Sequence, residues 1–500
     1  MVFVAVLYAL ASVVLFVFGL NLGWLAWQHR KQGGLRPSPE AHEPDVWPPV
    51  TVQLPLYNEP FVVDRLLDAA AQLDYPGPFE IQVLDDSTDD TRQRAAARIA
   101  HWQDRGVDIR HVTRPDRNGY KAGALAYGLA RSKGDFVAVF DADFVPPPDF
   151  LRRTVPVLCA DDGLGLVQAR WSHINGGEAL LTRIQSALLD THFVVEQDVR
   201  AGAGLLMNFN GTAGLWRRAC IDSAGGWQSD TLTEDLDLSY RAQLGGWRFR
   251  FLGDVTVPAE IPATAAAWRQ QQFRWTKGAA ETARKLLGPV WRSGIRLGAK
   301  VQATLHLGNF AVYPALLVAA LLHAPLLVAR SLGTGPGDLY FAALAPGIIA
   351  FAGVLFAHGA TLRALYPDWR RRLRYEPALL AASLGLAVGN TRAVAQALVG
   401  RRTAFVRTPK AGAAGGRAAL RVRPERAVVW AERLLALYSL GGLAALVAAG
   451  AWEGVGFQAL FVAGFGLLGF YDRPAKGRAT PPLVRPALAS TPPRLAARAA

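Results

Sequence analysis

The sequence contains few cysteines and few charged residues for its length. Of 500 residues only two are cysteine, Cys159 and Cys220, and 19% are charged, whereas 51% are hydrophobic. Two cysteines exclude a disulfide framework and a cysteine-rich zinc site, and their position in the more polar half fits a reducing cytosol. The apolar composition excludes a disordered or fibrous chain and is unusual for a soluble enzyme. The length suggests two or three structural units.

Three common motifs of nucleotide-binding proteins and hydrolases give no support to those classes. No GxGxxG follows a strand pattern, so a dinucleotide-dependent dehydrogenase has no support, and no GxxxxGK[ST] phosphate loop occurs. The GxSxG elbow of many serine hydrolases is absent as well.

Positive charge exceeds negative charge, and the excess lies beside apolar segments. The chain has 54 Lys plus Arg against 40 Asp plus Glu, a formal net charge of +14. Residues 363–375 hold five Arg and one Asp, residues 400–427 hold seven Arg, one Lys and one Glu, and residues 471–500 hold six basic residues and one acidic residue. Basic residues in such places orient helices and face anionic lipid. The charge therefore indicates a lipid bilayer as partner and argues against nucleic acid.

Several apolar stretches have the length of membrane spans. Residues 2–27 carry no charged side chain and can cross a bilayer at about 1.5 Å per residue. A cleaved signal peptide is the alternative, but its basic start and small-residue cleavage site are not evident, so we expect a retained anchor over residues 1–31. Further spans are predicted at 307–328, 339–362, 429–449 and 452–470.

Residues 376–399 are ambiguous, because they are apolar over only about half a span. We interpret them as a short buried piece that leads into an interfacial helix. Five spans then place residues 28–300, 363–427 and 471–500 in the cytosol, in agreement with the basic residues that follow the first span. The Ala- and Arg-rich composition indicates a high-GC bacterium and hence a multi-pass protein of the inner (plasma) membrane, with a Golgi membrane as the alternative. No internal repeat supports an inverted-repeat transporter.

Between the first span and the others lies a segment with the pattern of an α/β domain. A Gly/Pro-rich linker covers 32–48, the domain covers 49–285, and interfacial helices with about four spans cover 286–470. Strand-like runs at 51–56, 80–85 and 136–143 alternate with helix-like stretches at 62–72, 91–103 and 123–132. This alternation predicts a mainly parallel sheet covered on both faces. Ligands of such sheets bind beyond the carboxyl ends of the strands.

Two acidic clusters follow predicted strands of this domain. Residues 85–90 read DDSTDD, which is either an Asx-rich turn and helix cap or a site where a carboxylate binds a nucleobase or ribose. Asp141 and Asp143 end the apolar run FVAVF and would point to the same side of a strand. Two such carboxylates can share Mg²⁺ or Mn²⁺ with a diphosphate, although a DxD alone is a weak motif.

Two further motifs each admit a structural and a functional interpretation. Thr233-Glu234-Asp235 is a common helix start, with a Thr cap and acids in the first turn, but an acid there can also serve as a general base. QQFRW at 271–275 is an ordinary amphipathic surface pattern, or it pairs an Arg with a phosphate while the indole stacks on a sugar.

Taken together in this order and spacing, the motifs resemble those of inverting family 2 glycosyltransferases. Within that family they are similar to the cellulose-synthase-like membrane enzymes, such as glucomannan mannosyltransferases, xyloglucan-backbone glucan synthases and bacterial relatives. The matching stretches, which densely cover about residues 50–290, are VQLPLYNE (52–59), IQVLDDSTDDT (81–91), GYKAGAL (119–125), FDADFVPPPDFL (140–151), LVQARW (166–171), FNGTAGLWR (209–217), TEDLDLSYRA (233–242), GDVTVPAEIP (253–262) and QQFRW (271–275). FVRTPK at 405–410 looks like the gating loop of cellulose synthase, although it departs from the usual FxVTxK, so a cytosolic gating-like loop is predicted at 400–427.

This resemblance implies a fold and a set of residue roles. The fold would be a GT-A type α/β nucleotide-sugar-binding domain with a mostly parallel sheet, fused to α-helical transmembrane segments. The residues that would bind the nucleotide sugar are Asp86, Lys121, Asp141, Thr408 and Lys410. Asp141 and Asp143 would bind Mg²⁺ or Mn²⁺, and Asp235 would deprotonate the acceptor hydroxyl. The residues that would hold the acceptor and the leaving diphosphate are Gln271, Arg274 and Trp275.

The resemblance also implies an activity. The protein would be a metal-dependent hexosyltransferase that uses UDP-glucose or GDP-mannose to build a β-linked polysaccharide and to extrude it through the membrane. A glycolipid synthase, which adds one hexose to a membrane lipid, is the alternative, because motifs of the QxxRW type occur in both groups. A non-catalytic membrane assembly protein is a remote alternative, against which the intact acidic motifs argue.

Overall fold

The structure of the protein is a computed structural model that describes residues 1–39, 41–403, 406–410 and 425–471. The predicted basic tail beyond residue 471 and residues 404–405 and 411–424 of the predicted gating-like loop lie outside the described residues. The chain begins with a long helix, α1 (Val2–Lys31), and an irregular segment then leads into the α/β domain.

A seven-stranded sheet forms the centre of the described part of the domain. In chain order its strands are β1 (Val50–Leu56), β2 (Phe79–Asp85), β3 (Ile109–Val112), β4 (Phe136–Val139), β5 (Leu164–His173), β6 (Gly214–Arg217) and β7 (Arg248–Ala259). The spatial order is β3-β2-β1-β4-β6-β5-β7, and β6 runs antiparallel to both of its neighbours whereas the other pairs are parallel. The prediction of a mainly parallel sheet is therefore confirmed.

Helices cover both faces of this sheet, which explains why its strands read as continuous apolar runs. In chain order they are α2 (Val63–Ala71), α3 (Thr91–Gln103), α4 (Tyr120–Leu129), α5 (Phe150–Cys159), α6 (Leu180–Thr191), a π-helix (His192–Gln197), α7 (Asp198–Gly202), α8 (Arg218–Ser223) and α9 (Glu234–Leu244). Val52, Leu54 and Ala138 on one face, and Val137 and Val139 on the other, are fully buried in two separate apolar clusters.

The strand that precedes the DxD motif is shorter than the sequence predicts. β4 ends at Val139, whereas the apolar pattern suggested a strand through residue 143. The chain leaves the sheet because the Asp141 N–H donates to Thr212 Oγ1 (2.9 Å) and the Phe144 N–H closes a turn on the Asp141 carbonyl (3.0 Å). The two carboxylates therefore lie in a turn beyond the strand, and the expectation that strand alternation would align them is wrong.

After the sheet the chain forms helices that connect the domain with apolar helices. They are α10 (Ala265–Arg292), α11 (Leu297–Leu307), α12 (Val312–Ser331), α13 (Asp338–Leu344), α14 (Gly347–Leu365), α15 (Trp369–Arg372), α16 (Glu376–Gly385), α17 (Ala387–Leu398), α18 (Arg426–Ala448) and α19 (Val455–Phe470). Short 3-10 turns precede α12, α16 and α19. Among the described residues, six helical segments are long and apolar enough to cross a membrane: Val2–Lys31, Asn309–Ser331, Asp338–Leu365, Trp369–Leu398, Arg426–Ala448 and Trp452–Phe470.

Small residues let α1 and α14 pack closely. A Cβ added at Gly19 would lie 2.8 Å from the Ala350 Cβ, and one added at Gly23 would lie 2.9 Å from the Gly353 Cα. Such contacts between backbones are the usual basis of helix association in lipid, where no hydrophobic effect drives the helices together.

The segment Trp369–Leu398 contacts the α/β domain or α10 at both of its ends. Near its start Arg183 Nη1 of α6 donates to the Tyr375 hydroxyl (3.1 Å), and near its end Arg284 of α10 donates to the Ala397 carbonyl. In between, α16 packs along α19, with Gly385 against Gly464, and the helix is interrupted at Leu386.

Candidate active site

All the side chains singled out in the sequence line one cavity, at the carboxyl ends of β1, β2 and β4 and beneath α10. They are Asp86, Lys121, Asp141, Asp143, Asp235, Gln271, Arg274, Trp275, Thr408 and Lys410. They come from the turns after β2 and β4 and from α4, α9, α10 and the described segment 406–410. The strand ends supply the first of these residues, because parallel strands bring their carboxyl ends to the same edge.

The adjacent aspartates after β2 have different surroundings. Asp85 is buried; it accepts the Ser87 N–H (2.8 Å) and contacts His111 Nε2 (2.8 Å), and these partners lower its pKa although burial opposes the shift. Asp86 lines the cavity and accepts two hydrogen bonds from Arg114, at 2.7 and 2.6 Å. Asp85 thus has a structural role, whereas the oxygens of Asp86 keep lone pairs for a ligand.

Each carboxylate of the DxD motif contacts a lysine. Lys121 Nζ lies 2.5 Å from Asp141 Oδ1, and Lys410 Nζ lies 2.6 Å from Asp143 Oδ2. Burial raises the pKa of Asp143, and Lys410 opposes that rise. Burial is the largest single influence on Lys121 and would lower its pKa, but the carboxylates of Asp141, Glu234 and Asp235 together outweigh burial, so the pKa is raised.

The donor set of this turn suits a hard divalent cation. Both groups are carboxylates that line the same cavity, and oxygen is the ligand type that Mg²⁺ and Mn²⁺ prefer. No cluster of three or more His, Cys, Asp or Glu side chains that could hold a metal occurs among the described residues. Two carboxylates nevertheless fit a cation that takes its remaining ligands from water and substrate phosphates, as Mg²⁺ usually does.

Asp235 lies at the start of α9 and faces the cavity. Its Oδ1 accepts the Leu236 N–H (2.8 Å), while a Cβ added at Gly211 would lie 2.9 Å from its Oδ2. Burial first, and then the neighbouring Glu234 charge, raise the pKa of Asp235 to about 7. A carboxyl group with such a pKa can accept a proton near neutral pH.

Thr233 and Asp237, at the same helix start, make contacts with other parts of the domain. Thr233, the residue before α9, makes no side-chain capping hydrogen bond, and its hydroxyl instead lies 3.2 Å from that of Thr282 in α10. Asp237 is fully buried and contacts Arg241 and Lys285, at 2.7 and 2.8 Å. Only Glu234 and Asp235 of this acidic group line the cavity.

Helix α10 covers the cavity and carries Gln271, Arg274 and Trp275 into it. The helix begins with a Thr264 cap, whose hydroxyl accepts the Ala267 N–H (3.2 Å). Burial lowers the pKa of Arg274, and the Glu234 carboxylate opposes the shift. Arg274 Nη1 also donates to the Val406 carbonyl (3.0 Å), so α10 contacts the segment 406–410 directly.

The described segment 406–410 enters the same cavity. Thr408 is buried, with its hydroxyl unpartnered among the described residues, and Lys410 Nζ also donates to the Glu260 carbonyl (3.1 Å). Arg407 Nη1 lies 3.1 Å from Glu59 Oε2. Thr408 and Lys410 were identified from the sequence, whereas Arg407 was not.

Several cavity residues were missed in the sequence. Glu59 follows β1 as Asp86 follows β2; burial raises its pKa to about 8, which the Arg407 charge opposes. Arg117 stacks on Tyr57 with its Cζ 3.3 Å from the ring centroid. The available signal was the polar pair Asn58-Glu59, which follows the predicted strand 51–56 after one residue, Tyr57. This stretch was used only as part of the family resemblance.

The sequence of this chain is similar to a known protein family and to curated plant proteins. Residues 48–278 match the family model described as "Glycosyltransferase like family 2". The chain is 47% identical over 252 residues to glucomannan 4-beta-mannosyltransferase 2 of Arabidopsis thaliana, covering 49% of this chain and 47% of that protein. It is 44% identical over 252 residues to glucomannan 4-beta-mannosyltransferase 1 of Oryza sativa subsp. japonica, covering 49% and 48%. The matched region therefore spans about half the length of these curated relatives.

A solved structure with a similar fold is the mannosyltransferase PcManGT from Pyrobaculum calidifontis, in complex with GDP-Man and Mn²⁺. It is 20% identical, covers 80% of this chain and 100% of its own, and has a TM-score of 0.52. At this identity the match supports the fold only.

Proposed function

We propose, because residues 48–278 match the family model described as "Glycosyltransferase like family 2", that the protein is a membrane-bound inverting hexosyltransferase that builds a β-linked polysaccharide. The observation that carries the proposal is the single cavity in which the DxD carboxylates, Asp235 and the face of α10 with Trp275 meet. A donor, a base and an acceptor surface must lie this close for direct transfer between two sugars.

The donor would occupy the part of the cavity nearest the sheet. Asp86 is placed to accept hydrogen bonds from a base or ribose, and Lys121, Thr408 and Lys410 can donate to a diphosphate. Of the two donors considered, GDP-mannose is favoured, because the curated relatives are named as mannosyltransferases and the solved mannosyltransferase holds GDP-Man.

Asp141 and Asp143 would hold Mg²⁺ or Mn²⁺, as the solved mannosyltransferase contains Mn²⁺. When bound, such a cation offsets negative charge on a leaving diphosphate. Arg274 would add a fixed positive charge in the same cavity, where burial strengthens its interaction with phosphate oxygens. Lys410 and Lys121 are the cationic groups that already neutralise these carboxylates, and each can turn toward a diphosphate.

Asp235 would take the proton of the acceptor hydroxyl as that oxygen attacks the anomeric carbon. Its raised pKa suits this step. A base with a pKa near the working pH is substantially deprotonated there and is still basic enough to take a proton from a hydroxyl group. Attack opposite the leaving diphosphate inverts the anomeric centre, so an α-linked donor gives a β-linked product. Gln271 and Trp275 would orient the acceptor sugar, the latter by stacking on its apolar face.

A second cavity supports passage of the product through the membrane. It lies among α1, α12, α14, α16 and α19 and is lined largely by apolar side chains, seven of which are aromatic. Those aromatic side chains are Tyr8, Phe16, Phe18, Phe341, Phe351, Phe457 and Phe461. Rings can stack on successive sugar faces without fixing their register, which suits a chain that must move. We propose that the glycan leaves by this route and that the α/β domain faces the cytosol.

The test is the product of the purified protein in lipid vesicles supplied with radiolabelled GDP-mannose or UDP-glucose and Mn²⁺. The proposal requires label in a polymer that organic solvent does not extract, with β-linkages on analysis. Label confined to a chloroform-soluble lipid would identify a glycolipid synthase instead. No transfer from any donor, from a protein that binds nucleotide diphosphate, would favour the non-catalytic alternative. Localisation to the bacterial plasma membrane remains a prediction that fractionation of the native cells tests.

A further inference from the structure

The two cavities approach each other at the π-helix His192–Gln197. On the active-site side the cavity is lined by Asn210, and on the membrane side the second cavity is lined by Glu196 and Arg200. A run of π-helix is rare and is often found at functional sites, because the extra residue per turn displaces side chains from ordinary helical positions.

A chain of hydrogen bonds joins the two cavities through this helix. Asn210 Nδ2 donates to His192 Nε2 (2.9 Å), and His192 Nδ1 lies 3.2 Å from Glu196 Oε2. Gln197 Nε2 donates to Asn210 Oδ1 (2.6 Å), which orients the amide. These contacts agree on a single arrangement: His192 is protonated on Nδ1 and donates to the Glu196 carboxylate. His192 therefore orients Glu196 toward the membrane cavity.

Arg200 is the second unusual group at this end of the membrane cavity. Its side chain is 2% exposed, and within the described part of the chain no carboxylate lies within ion-pair distance of it. Nη1 makes two hydrogen bonds, each 3.5 Å long, to the carbonyls of Leu206 and Gln302, and Nε has no partner among the described residues. A buried guanidinium with so few partners is costly, which indicates that a ligand supplies the missing acceptors.

The mixture of groups at this end indicates the kind of ligand. The carboxylate of Glu196 and the guanidinium of Arg200 balance in charge, and polar residues that also line the cavity include Asn21, His306 and Asn309. An anionic phosphate would be repelled by Glu196, whereas sugar hydroxyls both donate and accept hydrogen bonds and match such a set.

We propose that Glu196 and Arg200 bind hydroxyl groups of the growing glycan where it passes from the active site into the membrane cavity, with His192 as a positioning residue for Glu196. The inference rests on the proposed polysaccharide synthesis and adds a site that retains the chain between additions. Retention would determine product length, because a chain that dissociates before the next transfer is no longer extended.

The test compares product length with the rate of sugar transfer. Loss of one charged hydrogen bond typically weakens binding by about ten- to a hundredfold. Glu196→Gln and, separately, Arg200→Lys should therefore shorten the mean product at least about tenfold. The KM for donor and the initial rate of nucleoside diphosphate release should remain near those of the wild type, since neither residue lines the donor cavity.

The matched control is Glu376→Gln. Glu376 also contacts a histidine, His358, and neither residue lines either of the two cavities. Product length should not change in this variant. His192→Ala should shorten the product less than Glu196→Gln does. The double variant with both His192→Ala and Glu196→Gln should make product of the same length as Glu196→Gln alone.

Three results would overturn the inference. If folded Glu196→Gln protein makes polymer of wild-type length, the site does not retain the chain, even if Arg200→Lys fails to fold. If the variants shorten the product only in proportion to a slower transfer rate, the residues act on catalysis or folding. If the wild type makes only an extractable glycolipid, the proposed function itself is wrong, and this is recognised before any variant is compared.

Discussion

Substitution of Asp235 by Asn separates a catalytic role from a role in helix formation. As an ordinary acid in the first turn of α9, Asp235 would interact favourably with the helix dipole and stabilise the fold by about 0.3–1 kcal/mol. The variant would then be less stable by that amount. As the general base, it would contribute about 10²–10⁴-fold to the rate. The two roles thus predict changes in different measurements.

The pKa of Asp235 gives the expected sign of the stability change. Folding raises this pKa from 3.8 to about 7, chiefly through burial. A difference of about three pK units corresponds to about 4 kcal/mol, at about 1.4 kcal/mol per unit. Because the folded state binds the proton more tightly than the unfolded state, the wild-type protein loses stability as the pH rises from about 4 to about 7. Asn carries no charge at any of these pH values and avoids this loss.

We therefore expect Asp235→Asn to raise the midpoint of thermal unfolding at pH 8, measured in detergent without donor. The gain is on the order of 4 kcal/mol, because the raised pKa already includes the interaction of the carboxylate with the helix start. The gain should vanish near pH 4. Turnover should fall at least about a hundredfold, while the affinity for nucleoside diphosphate stays near that of the wild type. The wild-type rate should decline tenfold per pH unit below about 7, and the residual rate of the variant should not.

Two neighbouring substitutions serve as controls. Asp237→Asn breaks buried ion pairs with Arg241 and Lys285, so it should destabilise the protein but leave the pH dependence of turnover unchanged. Glu234→Gln removes the charge that raises the pKa of Asp235, so the pH profile should move to lower pH. If Asp235→Asn lowers stability at pH 8 and retains turnover, both the role as base and the reasoning from burial are refuted.

The remaining predictions concern the metal, a glycine, the topology and helix packing. Asp141→Asn or Asp143→Asn should lower Mn²⁺-supported transfer at least about a hundredfold, and full activity in EDTA would contradict the metal site. Gly211→Ala should cut turnover, because φ is +80° and the new Cβ would lie 2.9 Å from Asp235 Oδ2; donor affinity measured alongside should hold. In intact cells, on a background without Cys159 and Cys220, a membrane-impermeant thiol reagent should label Thr334→Cys and should not label Arg402→Cys. Labelling of Arg402→Cys would mean that the segment Trp369–Leu398 crosses the membrane. Gly353→Val should lower the unfolding midpoint, since its Cβ would meet the Gly19 carbonyl at 2.8 Å, whereas Gly359→Val, with nothing within 4 Å, should not.

Much of the fold could be predicted because it depends on local pattern. Helix α3 has the predicted bounds at both ends, and the β1 and β2 strands begin one residue earlier than predicted and end where expected. The apolar stretches at 307–328, 339–362, 429–449 and 452–470 each correspond to a helix long and apolar enough to span a membrane. Hydrophobic periodicity and length determine these features without reference to the rest of the chain. The end of β4 was not predictable, because it depends on a hydrogen bond to Thr212 from another element.

The sequence by itself also determined which residue types gather at the strand ends, since the topology of a parallel sheet brings them to one edge. Only the tertiary structure decided what each of them contacts. In the folded protein Asp85 contacts His111, and Asp86 accepts hydrogen bonds from Arg114. Glu59 contacts Arg407, which lies 348 residues away along the chain. It also brings His192 and Glu196 between two cavities that have no common sequence pattern. The physical reason is that burial and Coulomb interactions depend on distances in space, which residues far apart in the chain acquire only when the whole fold has formed.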